Sequence, residues 1–110
     1  MKNKKVKFQP YDRKELKFKE SAYPNKKNYV IRFKGNYTRD QIKKYVQQKS
    51  NELKKAKGGD NLISVTLRYG NMFKGATRTK VGEKVSLWDP SDSGEAEPGK
   101  ITGFDIITMF

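Results

Sequence analysis

Asp89, Asp92, Glu95, Glu97 and Lys100 form the only dense group of carboxylates beside a lysine in this chain. Such a group is the raw material of a metal-dependent nuclease. Here it is spread along Asp89-Pro90-Ser91-Asp92-Ser93-Gly94-Glu95-Ala96-Glu97-Pro98-Gly99, and catalytic carboxylates need preorganised positions that Pro, Gly and Ser do not supply. Residues 89–100 therefore read as a solvated, mobile acidic loop. Histidine and cysteine are both absent. That excludes zinc fingers, Ser-His-Asp triads, histidine-dependent nucleases, disulfides and thiolate chemistry. Neither a Walker A sequence nor a Rossmann fingerprint occurs. No catalytic residue, metal ligand or cofactor is expected, and the chain reads as a non-enzyme.

Cations and aromatics offer a different chemistry. The 110 residues carry a net charge of +13 with a pI of about 9.9. Residues 1–27 hold ten basic and three acidic groups, net +7; residues 28–80 hold thirteen and three, net +10; residues 81–110 hold two and six, net −4. The first three-quarters of the chain thus suits a polyanion, nucleic acid before an anionic membrane surface. Lysine outnumbers arginine twenty to five. Lysine is a point charge without the bidentate fork, so phosphate neutralisation is favoured over base reading. Arg32, Lys34, Arg68, Lys74, Arg78 and Lys80 are the candidate phosphate contacts. Tyr69, Phe73 and Trp88 are the candidate stacking residues, with Tyr69 the weakest because its alternation places it with the apolar side chains.

The elements that must position these groups centre on residues 29–69. Tyr29-Val30-Ile31-Arg32-Phe33-Lys34 alternates with the period of a strand. Thr38-Arg39-Asp40-Gln41 has capping-box form, and Ile42, Tyr45, Val46, Leu53 and Ala56 then share a helical stripe that Lys49 interrupts. Lys49 must lay its stem along the core and snorkel. Gly58-Gly59 is a C-terminal stop. Residues 61–69 alternate again, with Ile63, Val65, Leu67 and Tyr69 on one side. A helix covers the apolar face of a sheet. Arg32, Lys34, Ser64, Thr66 and Arg68 are then expected in water on the other, with both arginines dispensable for stability.

Outside this unit the signals are shorter. Lys2-Asn3-Lys4-Lys5 looks disordered, and Val6, Phe8, Leu16 and Phe18 suggest two strands joined by a turn at Pro10-Tyr11-Asp12. Tyr23-Pro24-Asn25 is a second turn. Residues 70–75 read as a hairpin tip exposing Met72 and Phe73, after which residues 76–80 resume a strand. Residues 84–88 alternate, with Val85 and Leu87 inward. Residues 101–110 are apolar and β-branched and read as a closing strand.

The fold expected is α+β: one domain, 1–110, with an antiparallel curled sheet and a single helix, about 38–57, packed on one face. It has a basic N-terminal segment, 1–27. An element order of β-β-β-α-β-β, with or without a last strand, is also that of an OB-fold barrel, a likeness of order only. The function expected is non-catalytic binding of nucleic acid, single-stranded DNA or RNA, with weak sequence preference, in the cytoplasm. The acidic loop would screen the basic face or compete with nucleic acid for it. The alternatives are a small coat or nucleoid protein that self-assembles into a homo-oligomer, and a protein-binding regulator. No apolar run approaches the roughly 20 residues of a membrane-spanning helix.

Overall fold

In a computed structural model of the chain, residues 8, 10–16, 28–57 and 61–109 are described. They form β1 (Pro10–Leu16), β2 (Asn28–Lys34), α1 (Arg39–Lys57), β3 (Leu62–Tyr69), β4 (Met72–Lys80) and β5 (Gly103–Met109). A 3-10 turn, Pro90–Ser93, lies in the connection from β4 to β5. The strands make one curled antiparallel sheet in the order β1-β2-β5-β3-β4. The class is α+β, as expected. Two strands rather than three precede the helix among the described residues, so the OB-like order is not reproduced there. No described helix is long and apolar enough to cross a membrane.

The capping box starts α1. Thr38 Oγ1 accepts from the Gln41 N–H at 3.1 Å, and Gln41 Oε1 accepts from the Thr38 N–H at 2.9 Å. Ile42 and Val46 are buried against the sheet, with Tyr45 and Leu53 partly so. Ala56, expected on this stripe, is exposed. Ser50 completes the buried row instead, because its hydroxyl accepts from the Gly82 N–H at 2.9 Å. Lys49 behaves as expected: its ammonium lies 5.5 Å from the Tyr45 ring centre and 3.5 Å from Glu52.

Strand partners place Tyr29, Ile31, Phe33, Ile63, Val65, Leu67, Phe104 and Ile106 on the helix side. Phe33 stacks on Phe104 at 4.5 Å, and Phe8 is sandwiched between Tyr37 and Tyr45 at 4.7 and 4.3 Å. Burying rings of this size is worth roughly 1.5–3 kcal/mol each. A side chain at Gly103 would meet the Phe33 carbonyl oxygen at 2.5 Å, so β2 and β5 come together only over glycine.

Three local expectations change. Pro10-Tyr11-Asp12 is not a turn: β1 runs through it, and the register slips between Pro10 and Asp12. Pro10 lies on an outer strand of the sheet, where a bulge tolerates a residue without an N–H. Residues 84–88 form no strand. Gln47 of α1 takes the role of a ladder, accepting from the Val85 N–H at 2.7 Å and donating to the Glu83 carbonyl at 2.9 Å. Val81, Val85 and Leu87 still enter the core. The hairpin turn is only Gly70-Asn71, because β4 already begins at Met72. The readings placed on Lys2-Asn3-Lys4-Lys5, Val6, Phe18, Tyr23-Pro24-Asn25 and Gly58-Gly59 lie outside the described residues.

Candidate functional site

The β3–β4 end of the sheet carries two polar clusters, one on each face. On the face away from α1, Arg32 and Thr66 both pair with Asp105 of the central strand. Period-2 alternation therefore brings Arg32, Asp105 and Thr66 side by side, with Arg68 one step further along the same face. Arg68 Nη2 lies 2.8 Å from Asp105 Oδ1 and donates to Oδ2 at 3.0 Å, while Arg32 Nε is 3.9 Å from Oδ2. The Arg68 guanidinium also sits 5.4 Å from the centre of the Phe73 ring, across the β3–β4 pair.

This geometry corrects the expectation that Arg32 and Arg68 stand in water. Their side chains retain 33% and 20% of their exposure over a carboxylate that keeps 11%. A buried Asp105 is stable as an anion only with such partners. Val30, Ser64 and Met109, on the same face, are buried as well, so the face is not simply a wet one. Lys34, Arg78 and Lys80 are exposed there. Phe73 is 59% exposed and Met72 47%, as the hairpin reading expects.

Of the nine residues singled out from the sequence, Arg32, Lys34, Arg68, Phe73, Arg78 and Lys80 thus share one face. Tyr69, Lys74 and Trp88 belong to the other. Two residues of β4, Gly75 and Ala76, stand opposite Thr66 alone, and this bulge turns Lys74 to the helix side beside Leu67. Gly75 adopts φ +69° there, and a Cβ on it would meet Trp88 Cβ. Trp88 closes the core rim: its ring meets Tyr69 edge to face at 5.9 Å, and Lys74 Nζ lies 5.3 Å from its centre.

The second cluster forms around Arg39, at the start of α1. Arg39 Nε donates to the Trp88 carbonyl at 3.1 Å. Its Nη2 donates to the Tyr69 hydroxyl at 3.0 Å and to both carboxylate oxygens of Glu97 at 2.9 and 3.0 Å. The Tyr69 O–H donates to Glu97 Oε1 at 3.0 Å. Burial by itself pulls the Arg39 guanidinium down, but the hydrogen bond to Glu97 and the surrounding charges outweigh it and raise it above its ordinary value. Burial first, and then the bond to Glu97, pushes the Tyr69 phenol up to about 12, so it remains a donor at neutral pH.

The acidic loop is therefore not the unsupported segment expected. Pro90 is buried, Asp89 caps the 3-10 turn, and Glu97 is held by Arg39 and Tyr69. The Ser91 hydroxyl, and after it the Ser91 N–H, holds the Asp89 carboxyl below the usual carboxylate range. Among the described residues no three His, Cys, Asp or Glu side chains converge as a metal site. Arg39 and Asp105 were not singled out as site residues by alternation or composition, and Glu97 was read only as one of the loop carboxylates. Asp105 had a signal: a lone carboxylate inside the apolar run Gly103–Met109 calls for a cation on a neighbouring strand. Arg39 was visible only as part of a helix cap, and nothing in its spacing tied it to Glu97. Compared with protein-family models, with curated proteins and with solved structures, the chain matches none.

Proposed function

We propose that the protein binds nucleic acid without catalysing a reaction, favouring single strands with little sequence preference. Phe73 carries the reading: a ring 59% exposed, beside the Arg68 guanidinium, on a face shared with Arg32, Lys34, Arg78 and Lys80. An exposed aromatic is costly to leave in water and offers a stacking surface that every base can use. The lysine-rich charge supports phosphate contact without base selection. Arg68 is oriented by Asp105 and Phe73 together, which supports a fixed rather than a diffuse contact.

Titration of matched single- and double-stranded DNA and RNA oligonucleotides over a range of salt tests this. With about four to six phosphates neutralised on a single strand, log K should fall against log salt with a slope of roughly −3 to −4. Phe73→Ala should weaken single-strand binding by about 1–3 kcal/mol. Salt-independent affinity, or an unchanged affinity in Phe73→Ala, overturns the reading.

A further inference from the structure

Glu97 occupies a place that its own loop does not explain. Residues 91–100 are exposed, and among the described residues their other hydrogen bonds stay within residues 89–95. Glu97 alone reaches across, to Arg39 and Tyr69, residues from two other elements. Those two groups are already fixed without it. Arg39 is held by the Trp88 carbonyl, and Tyr69 is buried in the core and meets the Trp88 ring. Together they present guanidinium and phenol donors converging on one oxyanion.

A carboxylate and a phosphate can both meet such donors, since each offers one oxygen on which Arg39 Nη2 and the Tyr69 hydroxyl converge and a second within reach of Nη2. We propose that Arg39 and Tyr69 form a phosphate-binding seat, that Glu97 is its resident occupant, and that a phosphate of a bound strand displaces it. The inference rests on the nucleic-acid reading above and adds a second contact region with a built-in competitor. Tyr69 follows Arg68 directly in β3 and Lys74 follows Phe73 in β4, and each pair divides between the two faces. A strand stacked on Phe73 therefore reaches the seat by crossing the hairpin end, passing Lys74. Release of Glu97 leaves the loop tethered at Trp88 and Ile101, both packed in or against the core.

The decisive comparison is between two variants of equal charge. Glu97→Gln and Glu95→Gln each remove one negative charge from the loop, and only Glu97 sits on Arg39. Affinity for a fluorescein-labelled twelve-residue oligothymidylate should rise about fivefold in Glu97→Gln and no more than about twofold in Glu95→Gln. Adding Arg39→Met to Glu97→Gln should abolish the gain. Glu97→Asp keeps the charge but withdraws the carboxylate by one methylene, and should also bind more tightly than the natural chain. Thermal unfolding of each variant identifies any that has lost its fold, in which case the remaining Glu97 variant decides. Equal gains from Glu97→Gln and Glu95→Gln, with the natural chain binding normally, overturn the seat and leave the nucleic-acid reading standing. Failure of every form to bind, the natural chain included, overturns that reading and the seat together.

Discussion

Asp105 decides what the two strand arginines do. A carboxylate on the central strand, nearly stripped of water, costs several kcal/mol unless its charge is met. Arg68 meets it at 2.8 Å and Arg32 adds a longer contact. Arg68 thus serves stability before it serves any ligand. Arg68→Ala should destabilise the fold by about 2–3 kcal/mol, at or below the roughly 3–5 kcal/mol cost of a broken fully buried pair, because some water reaches the guanidinium. Arg68→Met combined with Asp105→Leu removes both charges and should recover most of that loss. Urea unfolding of the natural chain and the two variants checks both statements. A fully stable Arg68→Ala would show that Asp105 does not depend on its partner.

Among the elements, those with a strong local signal were legible in advance. The alternation of residues 29–34 and 62–69 and the reciprocal Thr38–Gln41 cap each depend on neighbours close in sequence, and each is present. What local pattern could not convey was order. Residues 101–110 read as a last strand, but the strand they hold, Gly103–Met109, occupies the middle of the sheet, where burial on both faces explains its near-continuous apolar run. Residues 84–88 alternate like a strand because Val85 and Leu87 enter the core, while Gln47 of the helix, not a neighbouring strand, satisfies the Val85 N–H. The same limit hid the Glu97–Arg39 contact, which joins residues 58 positions apart. Gly75 shows an element resting on one such distant contact. Its positive φ and its approach to Trp88 both exclude a side chain. Gly75→Ala should destabilise by about 1–3 kcal/mol and displace Trp88, the sole tryptophan, from the core rim. A red-shifted tryptophan emission in the folded variant is the expected result; an unchanged spectrum and stability would mean that the bulge relaxes freely.

For the molecule as a whole, the question is whether its charge acts as a diffuse cloud or through one face. The net +13 is spread widely, and α1 alone exposes Lys44 and Lys55 on its outer side. A diffuse polycation would bind through any of these lysines alike, with affinity tracking net charge. A defined face would not. Because Arg32 and Arg68 are tied to Asp105, removing them confounds binding with folding, and the test belongs to exposed lysines instead. Lys34→Ala with Lys80→Ala removes two charges from the face that carries Phe73, whereas Lys44→Ala with Lys55→Ala removes two from the helix. All four residues are exposed, so both variants should keep the stability of the natural chain to within about 0.5 kcal/mol each. The sheet pair should reduce single-strand affinity by about tenfold and flatten the salt slope by about 1 to 1.5, one phosphate contact being lost with each lysine. The helix pair should lower affinity no more than about threefold and leave the slope nearly unchanged. Equal losses and equal slopes would show that charge alone drives binding, and that Phe73 and its surrounding cations form no interface.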